Sequence, residues 1–376
     1  MRRPVFLVVG ATFLFWTSLY LYVPVLPLHA RALEASSTMI GVVVASYAIG
    51  QITLRIPIGI ASDRWGRKPF AVLATVLSAG GAIWLGVSPD PWSLFFARAL
   101  TGVAGAGWVA ISVLYSSYFA GARVSTSMAL IMGVNSGAVM LATFVGGLVS
   151  DAFGVGAAFY GSAGVGVAAA LMFLAVPEPI IERSPISMTA FRRIARTPLL
   201  IQVSLIAITF QFVTFAVNFG FLPVLAEDLG ATKSEIGYIT TAGLAAQTAG
   251  TLVSAVLVAR FANRGALLVA SVAVLVTMVL LPFTGDLVAI GALQGLGGLG
   301  RGILNTVCIG LAVRSATREE SATAMGAYQA TYAIGMLTGP LVAGPIVGSY
   351  GIEAVFWLCA AMTVAGVGLV LARRMP

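Results

Sequence analysis

The chain has 376 residues, of which 59% are hydrophobic and only 9% charged, with a mean hydropathy of +1.00, which excludes a water-soluble domain and describes a polytopic membrane protein. A formal charge of +8 would suit a nucleic-acid partner, but sixteen of the 21 bases fall in short polar connections on one side of the apolar pattern, where cytoplasmic loops concentrate Lys and Arg. No nucleic acid is therefore expected, and the two isolated cysteines, Cys308 and Cys359, suggest neither a disulfide framework nor a metal site.

Apolar stretches of about 20 residues predict membrane-spanning helices, which fall at roughly 5–28, 38–62, 69–88, 92–118, 126–149 and 157–176. Arg2 and Arg3 before the first stretch imitate a signal peptide, but the run is longer than an h-region of about 7 to 15 residues and reads as helix 1. A polar, arginine-containing connection follows, and then a second set of spans. The expected domains are an N-terminal six-helix bundle at 1–176, a cytoplasmic linker at 177–197 and a C-terminal six-helix bundle at 198–376. The second half repeats the first. A shift of 196 places Leu26-Pro27 on Leu222-Pro223, Ile40-Gly41 on Ile236-Gly237, Gln51 on Gln247 and Arg64 on Arg260; a shift of 197 places Gly147 on Gly344 and Phe159 on Phe356. The predicted fold is an all-α membrane protein of twelve transmembrane helices in two pseudo-symmetric six-helix bundles, with both termini cytoplasmic.

Between the second and third spans lies GQITLRIPIGIASDRWGRKP, residues 50–69, in which an apolar helix is closed by Gly59 and followed by a dense charged turn. Such a turn must lie in water, and its bases assign it to the cytoplasm. Bases alone would set topology; the acid and the glycines at this spacing ask for more. Gly59, Asp63, Arg64, Gly66, Arg67 and Lys68 match the G-x-x-x-D-R-x-G-R-[KR] signature, which resembles that of the major facilitator superfamily of secondary transporters. The resemblance implies that Asp63 is a latch acid of the cytoplasmic gate, that Arg67 and Lys68 form its basic surround, and that the glycines allow close approach and a tight turn. The latch is not repeated, because Asp63 corresponds to Ala259. In helix 11, Gly326, Gly335, Gly339, Pro340 and Gly344 resemble the family's antiporter motif, which the family carries in helix 5. Here they suggest a hinge, since proline removes a backbone hydrogen bond.

Nothing in the sequence composes an enzyme. There is one histidine, His29, and no carboxylate pair, nucleophile triad, metal cluster or phosphate loop. Transport needs instead a polar cavity at mid-membrane. By the same resemblance helices 1, 4, 7 and 10 line it, and polar stripes agree. Gln294, Arg301, Asn305 and Cys308 share a face of helix 10; Gln211, Thr214 and Asn218 share one of helix 7, matched by Phe15, Ser18 and Tyr22 on helix 1; Tyr47, Gln51 and Arg55 follow at spacing four on helix 2. A guanidinium stays charged at any relevant pH and costs about 2.5 to 3.5 kcal/mol at a helix centre, so Arg301 reads as a cavity residue. Arg98, counted among the cavity residues, matches with Gly102 the R-x-x-x-G pattern that resembles the family's helix 4 signature linked to proton coupling; its other reading is snorkelling to the outer interface. Arg55 reads as a tie to the inner interface as much as a cavity residue. With no Asp or Glu deep in a span, the substrate is expected to be anionic or zwitterionic, and peripheral acids such as Asp151 and Glu227 are left to carry protons.

The chain is thus identified as a member of that superfamily. The resemblance implies a rocker-switch transporter, exporting small amphipathic compounds or metabolites with proton coupling and no bound cofactor. Uptake or exchange of an organic anion is the alternative; a lipid flippase and a non-transporting receptor or scaffold are further rivals. The expected setting is a prokaryotic inner membrane, with membrane lipid and a small molecule as partners and a monomeric state.

Overall fold

The computed structural model of the protein describes residues 2–119, 123–178, 193–194, 196–317 and 321–372. Among these residues there is no strand, and eleven helical stretches are long and apolar enough to cross a bilayer. They are α1 (Arg3–Ala32), α2 (Ser37–Trp65), α3 (Arg67–Val87), α4 (Pro91–Ser116), α5 (Thr126–Phe153), α6 (Val155–Leu174), α7 (Pro198–Asp228), the stretch Lys233–Phe283, α10 (Leu287–Arg314), α11 (Thr323–Tyr350) and α12 (Glu353–Ala372). The stretch Lys233–Phe283, at 51 residues, far exceeds the about 20 that a bilayer needs. It is broken at Ala262, where φ 56° and ψ 175° leave the helical region, separating α8 (233–261) from α9 (263–280). That break brings the spans to the expected twelve. The predicted linker lies for the most part outside the described residues.

By packing, the chain divides into two compact units. One comprises Met1–Ala35, Ser46–Pro185 and Thr232–Gly237, the other Ser36–Ala45, Ile186–Ala231 and Tyr238–Pro376. Large apolar side chains such as Leu130, Leu141, Leu252 and Val256 are exposed on their helices, as a lipid environment requires.

The repeat read in the sequence recurs in the backbone. Six described residues have positive φ, and they form three pairs at the sequence offsets: Glu34 and Gly230, Gly66 and Ala262, Gly154 and Gly351. Each reverses the chain between consecutive helices. The second such turn in each unit is tied by a base to the last turn of a later helix: Lys68 Nζ donates to the Leu174 carbonyl at 2.7 Å, and Arg264 Nη2 to the Leu371 carbonyl at 3.1 Å. Cations are favoured at helix C-termini, where carbonyls lack partners. Helix crossings repeat as well. A Cβ at Gly102 would strike the Tyr47 carbonyl, and one at Gly298 the Gly243 carbonyl, so both crossings demand glycine. One neighbouring contact is exchanged rather than repeated. Thr101 Cγ2 lies 2.6 Å from where Gly81 would carry a Cβ, whereas Thr277 Oγ1 lies 3.0 Å from the Cβ position of Gly297. The larger residue sits on α4 in one unit and on α9 in the other.

Several elements depart from expectation. Helix 1 was expected to be continuous, but α1 breaks after Tyr20 and passes through the 3₁₀ turn Val23–Val25. In α7 the segment Thr214–Phe221 is a π-helix. Pro24 and Pro27 in the first and Pro223 in the second remove N–H groups that an α ladder would use, which accounts for a break at the same place in both repeats. In α4 the helix is interrupted at Gly107, between Pro91–Ala106 and Trp108–Ser116. Helix 2 runs on to Trp65, so Asp63 and Arg64 are helical and the turn consists of Gly66 alone. By contrast, α11 remains helical through Pro340 and Pro345.

Candidate functional site

In the first unit, Arg98 projects from α4 and is 4% exposed. Its Nη1 donates to Tyr22 Oη at 2.9 Å and to Thr101 Oγ1 at 3.3 Å, and its guanidinium stands over the rings of Tyr47, at 4.3 Å, and Tyr22, at 5.5 Å. Snorkelling is therefore not what Arg98 does; α1, α2 and α4 each give it a partner. Tyr22 issues from the break in α1 and Tyr47 from α2, with Gln51 alongside the Tyr47 hydroxyl and Gly105 leaving room for it. Arg55 is buried one turn further on, its Nε and Nη1 without a hydrogen-bond partner among the described residues.

In the second unit, Arg301 lies about 21 Å from Leu287 and about 20 Å from Arg314 along α10, close to its centre, and is 1% exposed. Its Nη2 donates to Gln294 Oε1 at 3.2 Å, two turns earlier on the same helix. Among the described residues its Nε and Nη1, and Gln294 Nε2, have no hydrogen-bond partner although all are buried. An uncompensated buried cation costs several kcal/mol, so this site is held at a cost to the fold. Gly243 of α8 forms its wall, with its Cβ position 3.4 Å from Arg301 Nη2 and 3.5 Å from Gln294 Oε1. Asn305, one turn on, is half-buried. On α7, Thr214 and Asn218 are buried in the π segment; Thr214 gives its hydroxyl to the Phe210 carbonyl, whereas Asn218 Oδ1 has no hydrogen-bond partner among the described residues. Gln211 is half-buried just before that segment.

Arg98 and Gln294 are 196 residues apart, as are Gly105 and Arg301, and Tyr47 and Gly243. Each unit thus places a guanidinium at the same helix crossing, but delivers it from opposite ends of one seven-residue interval. Where the first unit has Tyr47 reaching over Gly105, the second has Arg301 reaching back over Gly243. Tyr22 and Asn218 share the same offset and issue from the two irregular segments.

At the turn between α2 and α3 Asp63 Oδ1 accepts from Arg67 Nη2 at 3.2 Å, one helical turn away. Arg64 stacks on the Trp65 ring at 6.0 Å, and Gly59 sits inside α2 with its Cβ position 3.5 Å from Val109 Cγ1. Gly66 has φ 101°, a conformation reserved for glycine. Sequence reasoning missed Glu178, whose carboxylate accepts the Arg67 backbone N–H at the start of α3, where a helix N-terminus favours negative charge. Beside it Tyr118 donates to the Pro177 carbonyl; burial and then the Glu178 charge raise its phenol above the ordinary value. Nothing in the spacing from 67 to 178 signalled that contact. The peripheral acid Asp151 accepts from Ser234 Oγ at 2.7 Å.

Ser18, matched to the cavity stripe of helix 1, instead packs inside the first unit. Its hydroxyl meets Ser78 Oγ at 2.8 Å and its carbonyl accepts from Ser162. In α11, Gly335 and Gly339 lie against the Ile208 and Phe212 carbonyls of α7, Gly344 against Ser37 and Thr38, and buried Pro340 against Gly41. These predicted hinge residues are close-contact positions.

Comparison with known proteins adds a name to this architecture. The profile described as Major Facilitator Superfamily matches residues 8–219 and 203–376. The chain is similar to an uncharacterised MFS-type transporter of Methanocaldococcus jannaschii, 25% identical over 185 residues, which is 48% of this chain and 47% of that one. The match thus spans less than half of that relative. It is also similar to the multi-drug resistance efflux pump PmrA of Streptococcus pneumoniae, 26% identical over 378 residues, covering 93% of this chain and 92% of the pump. Among solved structures, that of the nucleoside transporter NupG superposes with a TM-score of 0.82 at 17% identity, over 98% of each chain, a likeness of fold.

Proposed function

The chain belongs to the Major Facilitator Superfamily, a multi-pass membrane transporter of a small molecule and not an enzyme, and from that premise we propose that it exports small amphipathic compounds or metabolites in exchange for protons. Alternating access in the rocker-switch manner, with both termini in the cytoplasm of a prokaryotic inner membrane and a monomer among membrane lipid as the working unit, belongs to the same proposal. The two predicted bundles and linker stand as its domain plan. The observation that carries it is the buried polar cluster around Arg301, near the centre of α10, which helix packing alone does not require. Similarity to an efflux pump along nearly its whole length supports the outward direction. Cytoplasmic gating falls to Gly59, Asp63, Arg64, Gly66, Arg67 and Lys68, and bending of α11 to Gly335, Gly339, Pro340 and Gly344. Proton transfer falls to carboxylates at the membrane edge, such as Asp151 and Glu227.

Dye export from cells expressing the protein tests this reading. Asp63→Asn should reach the membrane at the normal level and lose export, whereas a receptor or scaffold would lose nothing. The second reading, uptake or exchange of an organic anion, is favoured by Arg301, a buried cation with no acidic partner among the described residues.

A further inference from the structure

We propose that Arg301 and Gln294 form the recognition site for an oxyanion, of which the substrate's carboxylate is the intended occupant, and that Arg98 in the same position of the other repeat is a framework cation that takes no ligand. The proposal rests on the transport reading above and adds the chemical class of the substrate. Three donors belong to a single stretch of α10, namely Arg301 Nε, Arg301 Nη1 and Gln294 Nε2, each buried and each without a hydrogen-bond partner among the described residues. The guanidinium is oriented by Gln294 Oε1 at 3.2 Å, which leaves its Nε and Nη1 for another group. Nε and Nη1 lie on different edges of the guanidinium, and each can give a charge-assisted hydrogen bond to a carboxylate or phosphate oxygen, with the second N–H of Nη2 as the parallel donor on one edge.

The first repeat shows what a closed version looks like. There the guanidinium is bonded to two hydroxyls and covered by two rings, and of its own donors only Nε is buried without a hydrogen-bond partner among the described residues. In the second repeat the residue corresponding to Tyr47 is Gly243, so the ring that would cover the cation is missing, and the Gly243 Cβ position is at ordinary contact distance from both polar side chains. Arg55 is the competing open cation. It is 8% exposed, lies ten residues from the end of α2 at Trp65, and its Nε and Nη1 have no hydrogen-bond partner among the described residues.

The test is equilibrium binding to the purified full-length protein, read by intrinsic tryptophan fluorescence and by the shift in melting temperature. The probes are benzoate, its neutral relative benzyl alcohol, and inorganic phosphate. Benzoate should bind saturably, benzyl alcohol at least tenfold more weakly, and Arg301→Gln and Gln294→Leu should each weaken benzoate at least tenfold. Arg301→Lys, which keeps the charge and loses the fork, should retain binding weakened severalfold, and it guards against a folding failure of the glutamine variant. Arg98→Lys and Arg55→Gln should leave benzoate binding within twofold. Phosphate binding as well as benzoate, with competition between them, would identify a site for a free inorganic anion and overturn the assignment to a substrate carboxylate. Absence of benzoate binding, equal binding of benzyl alcohol, or loss of binding in Arg55→Gln but not in Arg301→Gln would overturn the site altogether. Dye export that persists in any of these cases would leave the exporter reading standing, so the two can fail separately.

Discussion

The two repeats solve one problem in opposite ways. At the crossing of α4 with α2 a guanidinium is bonded and stacked, and only its Nε is buried without a partner among the described residues. At the crossing of α10 with α8 the equivalent cation keeps one amide, and its Nε and Nη1 have no hydrogen-bond partner among those residues. The glycines at Gly102 and Gly298 hold both crossings equally close, so the difference does not come from backbone packing. It comes from exchanging Tyr47 for Gly243 and Gly105 for Arg301. A duplicated fold can thus keep one copy of a polar crossing as framework and leave the other able to bind, with the same helix geometry serving both.

The largest effect that would break this comparison is at Arg301. Arg301→Gln is expected to lower transport of an anionic substrate by about a hundredfold, since truncating a buried charge partner costs about 2 to 5 kcal/mol; initial rates in proteoliposomes check it. Next comes the proposed gate at Asp63, whose motif only the first repeat carries intact. Asp63→Asn should lower turnover by about tenfold with normal membrane level, whereas Ala259→Asp, the corresponding position, should leave it unchanged; efflux rates normalised to surface protein decide. Third is Arg98→Gln, which should destabilise the protein by about 1.5 to 3 kcal/mol, the worth of hydrogen bonds to a charged group, read as a fall in melting temperature. Gly102→Ala and Gly298→Ala should each cost about 1 to 3 kcal/mol by overpacking, and by similar amounts, because both would strike a carbonyl. The smallest effect lies at the turns. Ala262 adopts φ 56° and ψ 175°, a region nearly restricted to glycine, so Ala262→Gly should stabilise by about 1 kcal/mol net of the added chain entropy. Gly66→Ala, which would meet the Glu178 carboxylate at 2.9 Å, should destabilise.

Much of the fold was legible because membrane helices and internal repeats both leave strong signals in sequence. The twelve spans follow from apolar length, and the offsets of 196 and 197 that align Gln51 with Gln247 and Gly154 with Gly351 also align the positive-φ turns. Arg301, Gln294 and Tyr22 stand out in the sequence by polarity against an apolar background, and the structure buries all three. What stayed hidden depends on partners distant in sequence or on backbone irregularity. Tyr22 as the hydroxyl that holds Arg98, Glu178 as the acid that meets the start of α3, and the π segment of α7 have no local pattern to announce them. Polarity alone also failed at Ser18, whose hydroxyl is spent on helix packing. The contrast between a guanidinium stacked on rings and one held by a single amide was invisible for the same reason, since both arginines sit in apolar helices and differ in what crosses them.

The most direct measurement is gradient-driven transport in proteoliposomes with an acidic lumen, using fluorescein as an anionic amphiphile and ethidium as a cationic one, against protein-free vesicles. Fluorescein should accumulate only with protein and gradient together, fall by at least tenfold in Arg301→Gln, and remain within about threefold in folded Arg98→Lys. Accumulation of ethidium instead, or of neither dye, or loss of fluorescein transport in Arg98→Lys while Arg301→Gln stays active, would contradict the account.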